Sequence, residues 1–187
     1  MRAVLTGLLF LPALWFSQAT QQQVASMQKK LDHIQANAKL AHPDPSPTDF
    51  PEDQVNAYLN SGEVKLPAGV QTVKFRGSTG VITANARVDF DQLKAGRGSA
   101  NPMLSIFSGV HDIQVDAHAY GRGARGYVQV DEVSLDGVQI PRFVLQLFVQ
   151  KYVQPKYPEV GLNSEFSLPD RVDTATVGEH KLKVVQK

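Results

Sequence analysis

The chain contains no cysteine among its 187 residues. This absence excludes disulfide bonds, thiol catalysis, cysteine-ligated zinc and iron–sulfur clusters. The sequence also lacks a charge imbalance, because 19 Lys and Arg stand against 18 Asp and Glu. A protein that binds nucleic acid needs a concentrated positive surface, so we expect no nucleic-acid partner. Without disulfides, the fold must be stabilised by burial, and a domain of roughly 150 residues buries about 70% of its unfolded surface.

Only the start of the chain forms a long apolar run, and it predicts a secretory signal peptide over residues 1–19. Arg2 supplies a positive start, residues 3–16 are mostly apolar, and Ser17 and Ala19 are small residues suited to a cleavage site. The run is shorter than the roughly 20 residues that span a bilayer. An uncleaved membrane anchor is the alternative. Because no Cys follows the run to carry a lipid anchor, the sequence predicts a periplasmic or secreted protein.

The next segment divides into a helix and a linker. Apolar residues recur at helical spacing at Val24, Met27, Leu31, Ile34 and Ala38. This pattern predicts an amphipathic helix over residues 20–41, which either packs on the rest of the chain, the preferred interpretation, or docks on a protein partner through residues 24–38. Four prolines between positions 43 and 51 predict a Pro-rich linker over residues 42–48. An α+β domain is therefore expected over residues 49–187.

Beyond the linker, a short helix is predicted over residues 49–62, and the apolar period then changes to two. This alternation predicts strands over residues 72–75, 82–90, 113–119 and 127–135. The phase of the last strand changes near Asp131 and Glu132, which predicts a β-bulge. Two further short strands with a turn at Gly178 are expected near the end of the chain.

Gly121, Gly123 and Gly126 have the spacing of a dinucleotide-binding fingerprint, G-x-G-x-x-G. That fingerprint functions between a strand and a helix, because the phosphate binds at the N-terminus of the helix. Here both flanks alternate with a period of two. The sequence therefore predicts the connection of a β-hairpin, in which Gly supplies positive φ angles and Arg122 and Arg125 point into water.

A second candidate site is the stretch HDIQVDAH. Asp112, Asp116 and His118 share one face of a predicted strand, and all three are metal-binding residue types. The solvent-exposed face of a half-buried strand has the same pattern of polar residues. We prefer this interpretation to a metal site, because spacing alone fixes no coordination geometry. No nucleophile motif such as G-x-S-x-G and no H-E-x-x-H motif occurs. We expect no catalytic residue, no metal and no cofactor, and a protein that is not an enzyme. A hydrolase with an unrecognised site is the alternative, and a buried cluster with a nucleophile and a base in contact would indicate it.

Residues 141–153 predict a helix that is apolar on almost every side. Pro141 suits its first turn, and Pro155 ends it. A surface helix normally has one apolar stripe, so this helix needs apolar surroundings on two sides. Either a curled sheet encloses it as a core helix, or the sheet covers one side and a ligand or a membrane covers the other.

The order of these segments resembles that of exported lipid-binding proteins. It consists of an apolar segment closed by Gly109, the strand pair GVHDIQVDAHAY and GYVQVDEVSLDGVQIP, the apolar helix, and FSLPDRVDTATVGEHKLKV. The resemblance is to the bacterial LmeA-like phospholipid-binding family and, more broadly, to TULIP-like (tubular lipid-binding) domains. It covers roughly residues 49–185 without a diagnostic motif. It implies an α+β fold in which a long curved antiparallel β-sheet wraps an apolar helix. The N-terminal amphipathic helix and the Pro-rich linker precede that shared layout.

The resemblance also implies non-enzymatic binding of a phospholipid or another apolar small molecule in the cell envelope, with transient membrane contact. The residues expected to line an apolar groove are Leu104, Ile106, Phe107, Ile113, Val115, Leu145, Phe148, Val149 and Tyr152. Apolar residues at strand or helix spacing also build solid cores, so a core without a ligand is the alternative. In that case the protein is an envelope scaffold or protein-interaction domain. The many Ala residues on the predicted strand faces favour a small cavity or none.

Overall fold

The computed structural model describes residues 13–98 and 100–187, with side chains from Thr20 onward. Nine strands of this part form one large antiparallel sheet, and several helices accompany it. The predicted α+β class and the antiparallel sheet are therefore confirmed. Residues 1–12 of the predicted signal peptide lie outside the described residues.

The three predicted helices are present with shifted boundaries, and two short helical segments were not predicted. The first helix begins at Ala13, inside the predicted signal peptide, and ends at Ala38 rather than at residue 41. In chain order the helices are α1 Ala13–Ala38, α2 Glu52–Leu59, α3 Phe90–Leu93, a 3₁₀ turn Pro102–Leu104, α4 Arg142–Phe148, and a π-helical continuation of α4, Val149–Val153. The extent predicted for the apolar helix is thus confirmed, and its last turn is π-helical. The helix expected from residue 49 begins at Glu52, because the preceding residues belong to a strand.

Six of the nine strands in the described part of the chain were predicted, and four of these were predicted from alternation. The bounds of all nine are β1 Thr48–Pro51, β2 Val70–Ser78, β3 Val81–Asp89, β4 Val110–Arg122, β5 Arg125–Leu135, β6 Val138–Gln139, β7 Asn163–Ser167, β8 Val172–Gly178 and β9 Lys181–Gln186. The short strands β1, β6 and β7 have no clear alternating pattern. β1 pairs with β9, and places Phe50 opposite Leu182. The Pro-rich stretch therefore leads directly into the sheet.

β4 lies in the interior of the sheet, because other strands pair with both of its edges. One of its edges pairs with β3 and, at Tyr120 and Gly121, with β8, while the other edge pairs with β5. The sheet continues from β3 to β2, from β8 to β9 and β1, and from β5 to β6 and β7. The turn between β2 and β3 lies against β8, where the Gly80 N–H donates to the Val177 carbonyl at 3.0 Å.

The G-x-G-x-x-G stretch forms the β4–β5 hairpin, as predicted, with exposed Arg122 and Arg125 facing each other across the turn. The expected role of the glycines is only partly correct. Gly123 has a φ of 60°, whereas Gly121 and Gly126 do not have positive φ. These two glycines allow close packing instead, because an added Cβ would lie 2.8 Å from Ala175 or 2.6 Å from Phe166.

The β-bulge lies where the change of phase predicted it. Asp116 of β4 pairs with Glu132, and Ala117 pairs with Val130, which makes Asp131 the extra residue on β5. An extra residue returns apolar side chains to the buried face of the strand after a one-residue slip. The bulge therefore allows both halves of β5 to contribute to one core.

Helix α1 packs on the sheet through its apolar residues. Met27 and Ile34 are buried in a cluster with Phe50, Val172 and Val184, which come from β1, β8 and β9. This is the intramolecular packing that was preferred for the amphipathic helix. Docking of a protein partner on residues 24–38 stays a prediction, as does the division of the chain into domains.

Candidate functional site

The residues predicted to line a groove lie mostly in one cluster beneath α4. Leu104, Phe107, Leu145, Phe148 and Tyr152 are buried together, and Ile113 and Val149 pack against them half-buried. We call this group, together with Phe90, the α4 cluster. Val115 is half-buried outside the cluster, and Ile106 is 40% exposed. The structure therefore brings together seven of the nine predicted residues.

The aromatic rings of the α4 cluster are in direct contact. The ring centroids of Phe107 and Phe148 lie 4.2 Å apart, those of Phe148 and Tyr152 lie 5.2 Å apart, and those of Phe90 and Phe148 lie 5.5 Å apart. Aromatic pairs at 4.5–7 Å are typical of packed cores. Whether these residues also contact a ligand stays a prediction.

A separate apolar pocket lies under α2, and we call it the α2 pocket. It has a volume of about 220 Å³ and is lined mainly by Phe50, Val55, Phe75, Ile82, Val177 and Leu182. These side chains come from β1, α2, β2, β3, β8 and β9. The pocket forms where the β2–β3 turn meets the β8–β9 turn, because the His180 N–H donates to the Gly77 carbonyl at 3.0 Å.

Two charged residues, Glu52 and Lys181, also line the α2 pocket. Although burial raises the pKa of Glu52, hydrogen bonds from His180 and the Gly77 N–H hold this pKa below its ordinary value. Lys181 donates to Asp49 at 2.9 Å, and this hydrogen bond is the main reason why the pKa of Asp49 is lowered. Lys181 is thus ion-paired and Glu52 has two hydrogen-bond partners, so neither charged group in the pocket lacks a polar partner.

Sequence reasoning did not single out the residues of the α2 pocket as a site. Phe75 and Ile82 were assigned to strands, but nothing in the sequence indicates that they meet β8 and β9. Phe50 lies in a four-residue strand with a proline, where alternation is too short to detect. The alternation in the sequence shows which face of each strand is apolar. It does not show which other strands that face contacts.

The three residues considered for a metal site have separate partners. Arg87 donates to Asp112 at 3.0 Å, Thr83 donates to Asp116, and His118 Nδ1 lies 2.6 Å from Asp131. Among residues 13–98 and 100–187, no group of His, Asp and Glu is arranged to hold a metal ion. The polar groups on this face of β4 therefore serve cross-strand pairs.

No family model, no curated protein and no solved structure matches this chain. The resemblance to LmeA-like proteins thus stays an expectation from the order of segments. None of the helices described for this chain combines the length and the apolar character needed to cross a bilayer.

Proposed function

We propose that the protein binds the acyl part of a lipid, or another apolar small molecule, in the α2 pocket and does no chemistry on it. One observation carries this proposal, a preformed pocket whose walls are almost wholly apolar side chains. An apolar cavity in water is unfavourable unless an apolar group fills it, since burial contributes roughly 25 cal/mol per Å². Small-molecule sites are typically concave, largely preformed and mostly apolar.

The volume of the pocket limits the ligand. About 220 Å³ exceeds the roughly 150 Å³ of an apolar cavity that holds benzene. It is smaller than the roughly 300–1,000 Å³ of sites that enclose a whole drug-sized ligand. The pocket is therefore suited to the end of an acyl chain, while the rest of the lipid lies outside it.

The location and fold that we propose agree with this ligand. Export to the cell envelope is supported by the signal-like run at residues 1–19, and it gives the protein access to membrane lipid. We also propose that the sheet curves around α4. Support comes from the apolar core that contains the α4 cluster, because Val88 of β3, Ile113 of β4 and Val133 of β5 share this core with the buried residues of α4.

A second candidate is an envelope scaffold with a solid core. The ring contacts of 4.2–5.5 Å in the α4 cluster favour it, because they show close packing where a groove was expected. Under this alternative the α2 pocket is a packing defect, and function belongs to a protein partner.

Native mass spectrometry of the full chain distinguishes the two. The chain is purified from a lysate that contains membranes, and its mass is measured before and after organic extraction. We expect one lipid per chain that is lost on extraction. A chain that carries no lipid, both on isolation and after incubation with phospholipid vesicles, contradicts the proposal and supports the scaffold.

A variant whose side chain fills the α2 pocket then tests whether the ligand binds there. Ile82→Trp places a larger side chain in the α2 pocket, and Asn85→Trp adds the same side chain on the exposed face of β3. We expect Ile82→Trp to weaken binding of 11-(dansylamino)undecanoic acid by at least about tenfold, or about 1.4 kcal/mol, and Asn85→Trp to leave it unchanged. Thermal melting checks that both variants are folded. Equal binding by both variants would mean that the α2 pocket is not the site.

A further inference from the structure

A cleft on the exposed face of β4, β5 and β7 has no role in the proposed lipid binding. It has a volume of about 350 Å³, and the residues that matter to its chemistry are His118, Tyr120, Tyr127, Gln129, Asn163 and Glu165. None of these residues lines the α2 pocket. The cleft is a second concave site of different chemistry.

Strand register places the six side chains in two rows on one face. Tyr120 lies opposite Tyr127, which in turn lies opposite Glu165. The neighbouring row, two residues along each strand, contains His118, Gln129 and Asn163. Side chains two residues apart point to the same face of a sheet, so the rows form one continuous surface.

The two tyrosines form a stacked pair in which Tyr120 is exposed and Tyr127 is half-buried. Their ring centroids lie 4.9 Å apart at an interplanar angle of 20°, and Tyr120 is 55% exposed. In the part of the chain that the structure describes, neither tyrosine hydroxyl forms a hydrogen bond, nor does the amide of Gln129. The cleft therefore combines aromatic surface with polar groups that are free to bind a ligand.

Few cations lie beside the cleft. Arg125 lies 3.1 Å from Glu165, and His118 Nδ1 lies 2.6 Å from Asp131. Arg142 is a further cation at the rim, where it donates to the Val130 carbonyl at 2.9 Å and lies 3.4 Å from Asn163 Oδ1. This surface therefore lacks the cluster of several Lys and Arg residues that nucleic acid requires. The groups that remain, tyrosine rings, amides and hydroxyls, are complementary to a neutral ligand that is rich in hydroxyl groups.

We propose that this cleft binds carbohydrate, as a segment of a glycan chain built from pyranose rings. The C–H groups of a pyranose ring pack on an aromatic ring, whose face is electron-rich. The side-chain amides of Gln129 and Asn163 both donate and accept, as do sugar hydroxyls, so each amide is able to bind neighbouring hydroxyls of one ring. The volume of about 350 Å³ lies within the range of small-molecule sites.

Binding is tested with the full chain and three defined probes, chitotetraose, cellotetraose and maltotetraose, by isothermal titration and saturation-transfer NMR. We expect at least one probe to bind and to show saturation transfer to its ring C–H protons. Tyr127→Ala should weaken that binding by at least about tenfold, and Tyr127→Phe should restore it, because the ring rather than the hydroxyl supplies the stacking surface.

Three further measurements make the assignment specific. Gln129→Ala leaves the tyrosine pair intact and should still weaken binding. Tyr157→Ala removes a tyrosine outside the cleft whose exposure, 48%, is close to the 55% of Tyr120, and it should have no effect. Binding of the dansylated fatty acid should be unchanged by Tyr127→Ala, so failure of this proposal is distinguishable from failure of lipid binding. The proposal is overturned if no probe binds, or if Tyr157→Ala and Tyr127→Ala have equal effects.

Discussion

Asn56 of α2 forms two hydrogen bonds with the backbone of Phe75 in β2. The Asn56 amide donates to the Phe75 carbonyl at 2.8 Å, and the Phe75 N–H donates to Asn56 Oδ1 at 2.7 Å. Asn60 repeats this arrangement on Val73, with distances of 2.6 and 3.3 Å. Val73 and Phe75 lie two residues apart, which is a rise of about 6.6 Å along a strand. Asn56 and Asn60 lie four residues apart, which is a rise of about 6 Å along a helix, so the spacing of the two asparagines matches that of the two strand residues. α2 thus takes the place of a further strand beside β2.

This arrangement protects the outer edge of the sheet. Edge strands present unpaired N–H and C=O groups that promote association with another chain. We predict that the double variant Asn56→Ala/Asn60→Ala lowers the free energy of unfolding by about 1–3 kcal/mol, because partly buried backbone groups of Phe75 and exposed ones of Val73 lose their partners. It should also self-associate. Urea denaturation and light scattering measure the two effects.

Asn85→Ala is the matched control, because Asn85 is exposed on β3 and has no such role. This variant should change neither the free energy of unfolding nor the state of association that light scattering measures. If the double variant stays monomeric at the concentrations where wild type does, the asparagines contribute stability alone and the idea of edge protection is wrong.

The contrast between α2 and α4 explains what the sequence could predict. The α4 cluster was found because Leu145, Phe148 and Tyr152 follow one helical pattern, and local periodicity is visible in a sequence. The α2 pocket was not found, because its walls are brought together by contacts between Gly77 and His180, more than 100 positions apart. The same limit applies to β1, whose strand conformation depends on pairing with β9. Pairing of distant strands, rather than propensity, decided these features.

His111 provides a pH-dependent contribution to stability. Its Nδ1 lies 2.6 Å from an Asp136 oxygen, and its Nε2 lies 2.7 Å from the Ser108 carbonyl. Both partners are acceptors, so both ring nitrogens donate only in the protonated ring. The hydrogen bond with Asp136, followed by that with Ser108, raises the pKa of His111 above its ordinary value.

A histidine whose pKa is higher in the folded state stabilises the protein fully below the unfolded pKa, roughly 6.5. This stabilisation is lost as the pH rises through the folded pKa. We therefore predict that the free energy of unfolding of wild type falls as the pH rises above about 6.5, and that His111→Gln removes part of this dependence. Urea denaturation at a series of pH values from about 6.5 upward measures it. The exposed His42 offers a control, since His42→Gln should keep the wild-type slope; equal slopes for all three proteins would contradict the role of His111.

Gln186 fixes α1 to the last strand. Its amide accepts from Asn37 at 2.7 Å and donates to the carbonyls of Ile34 and Asp170 at 2.8 and 2.6 Å. Both Asn37 and Gln186 are buried. We predict that Gln186→Met lowers the free energy of unfolding by about 1–3 kcal/mol, because it leaves buried polar groups without partners at nearly constant volume.

Hydrogen exchange locates this effect. Amide exchange in α1 should accelerate in Gln186→Met more than exchange in β4, because the hydrogen bonds of Gln186 contribute to the attachment of α1 and not to the pairing of β4. Gln35→Met, at an exposed position on α1, should change neither stability nor exchange. A uniform acceleration over the whole sheet would show instead that Gln186 stabilises the fold globally.

The β4–β5 hairpin separates two reasons for glycine. At Gly121, an added Cβ would lie 2.8 Å from both the Cβ and the backbone nitrogen of Ala175, which belongs to paired backbone and cannot move aside cheaply. We predict that Gly121→Ala lowers the free energy of unfolding by about 1–3 kcal/mol, as overpacking does.

Ala124 instead has a φ of 61°, a conformation that costs a residue with a Cβ roughly 1–2 kcal/mol. Ala124→Gly should therefore stabilise the protein by up to about 1 kcal/mol, since glycine also loses more chain entropy on folding. Urea denaturation measures both changes, and effects of the same sign would contradict this account of the hairpin.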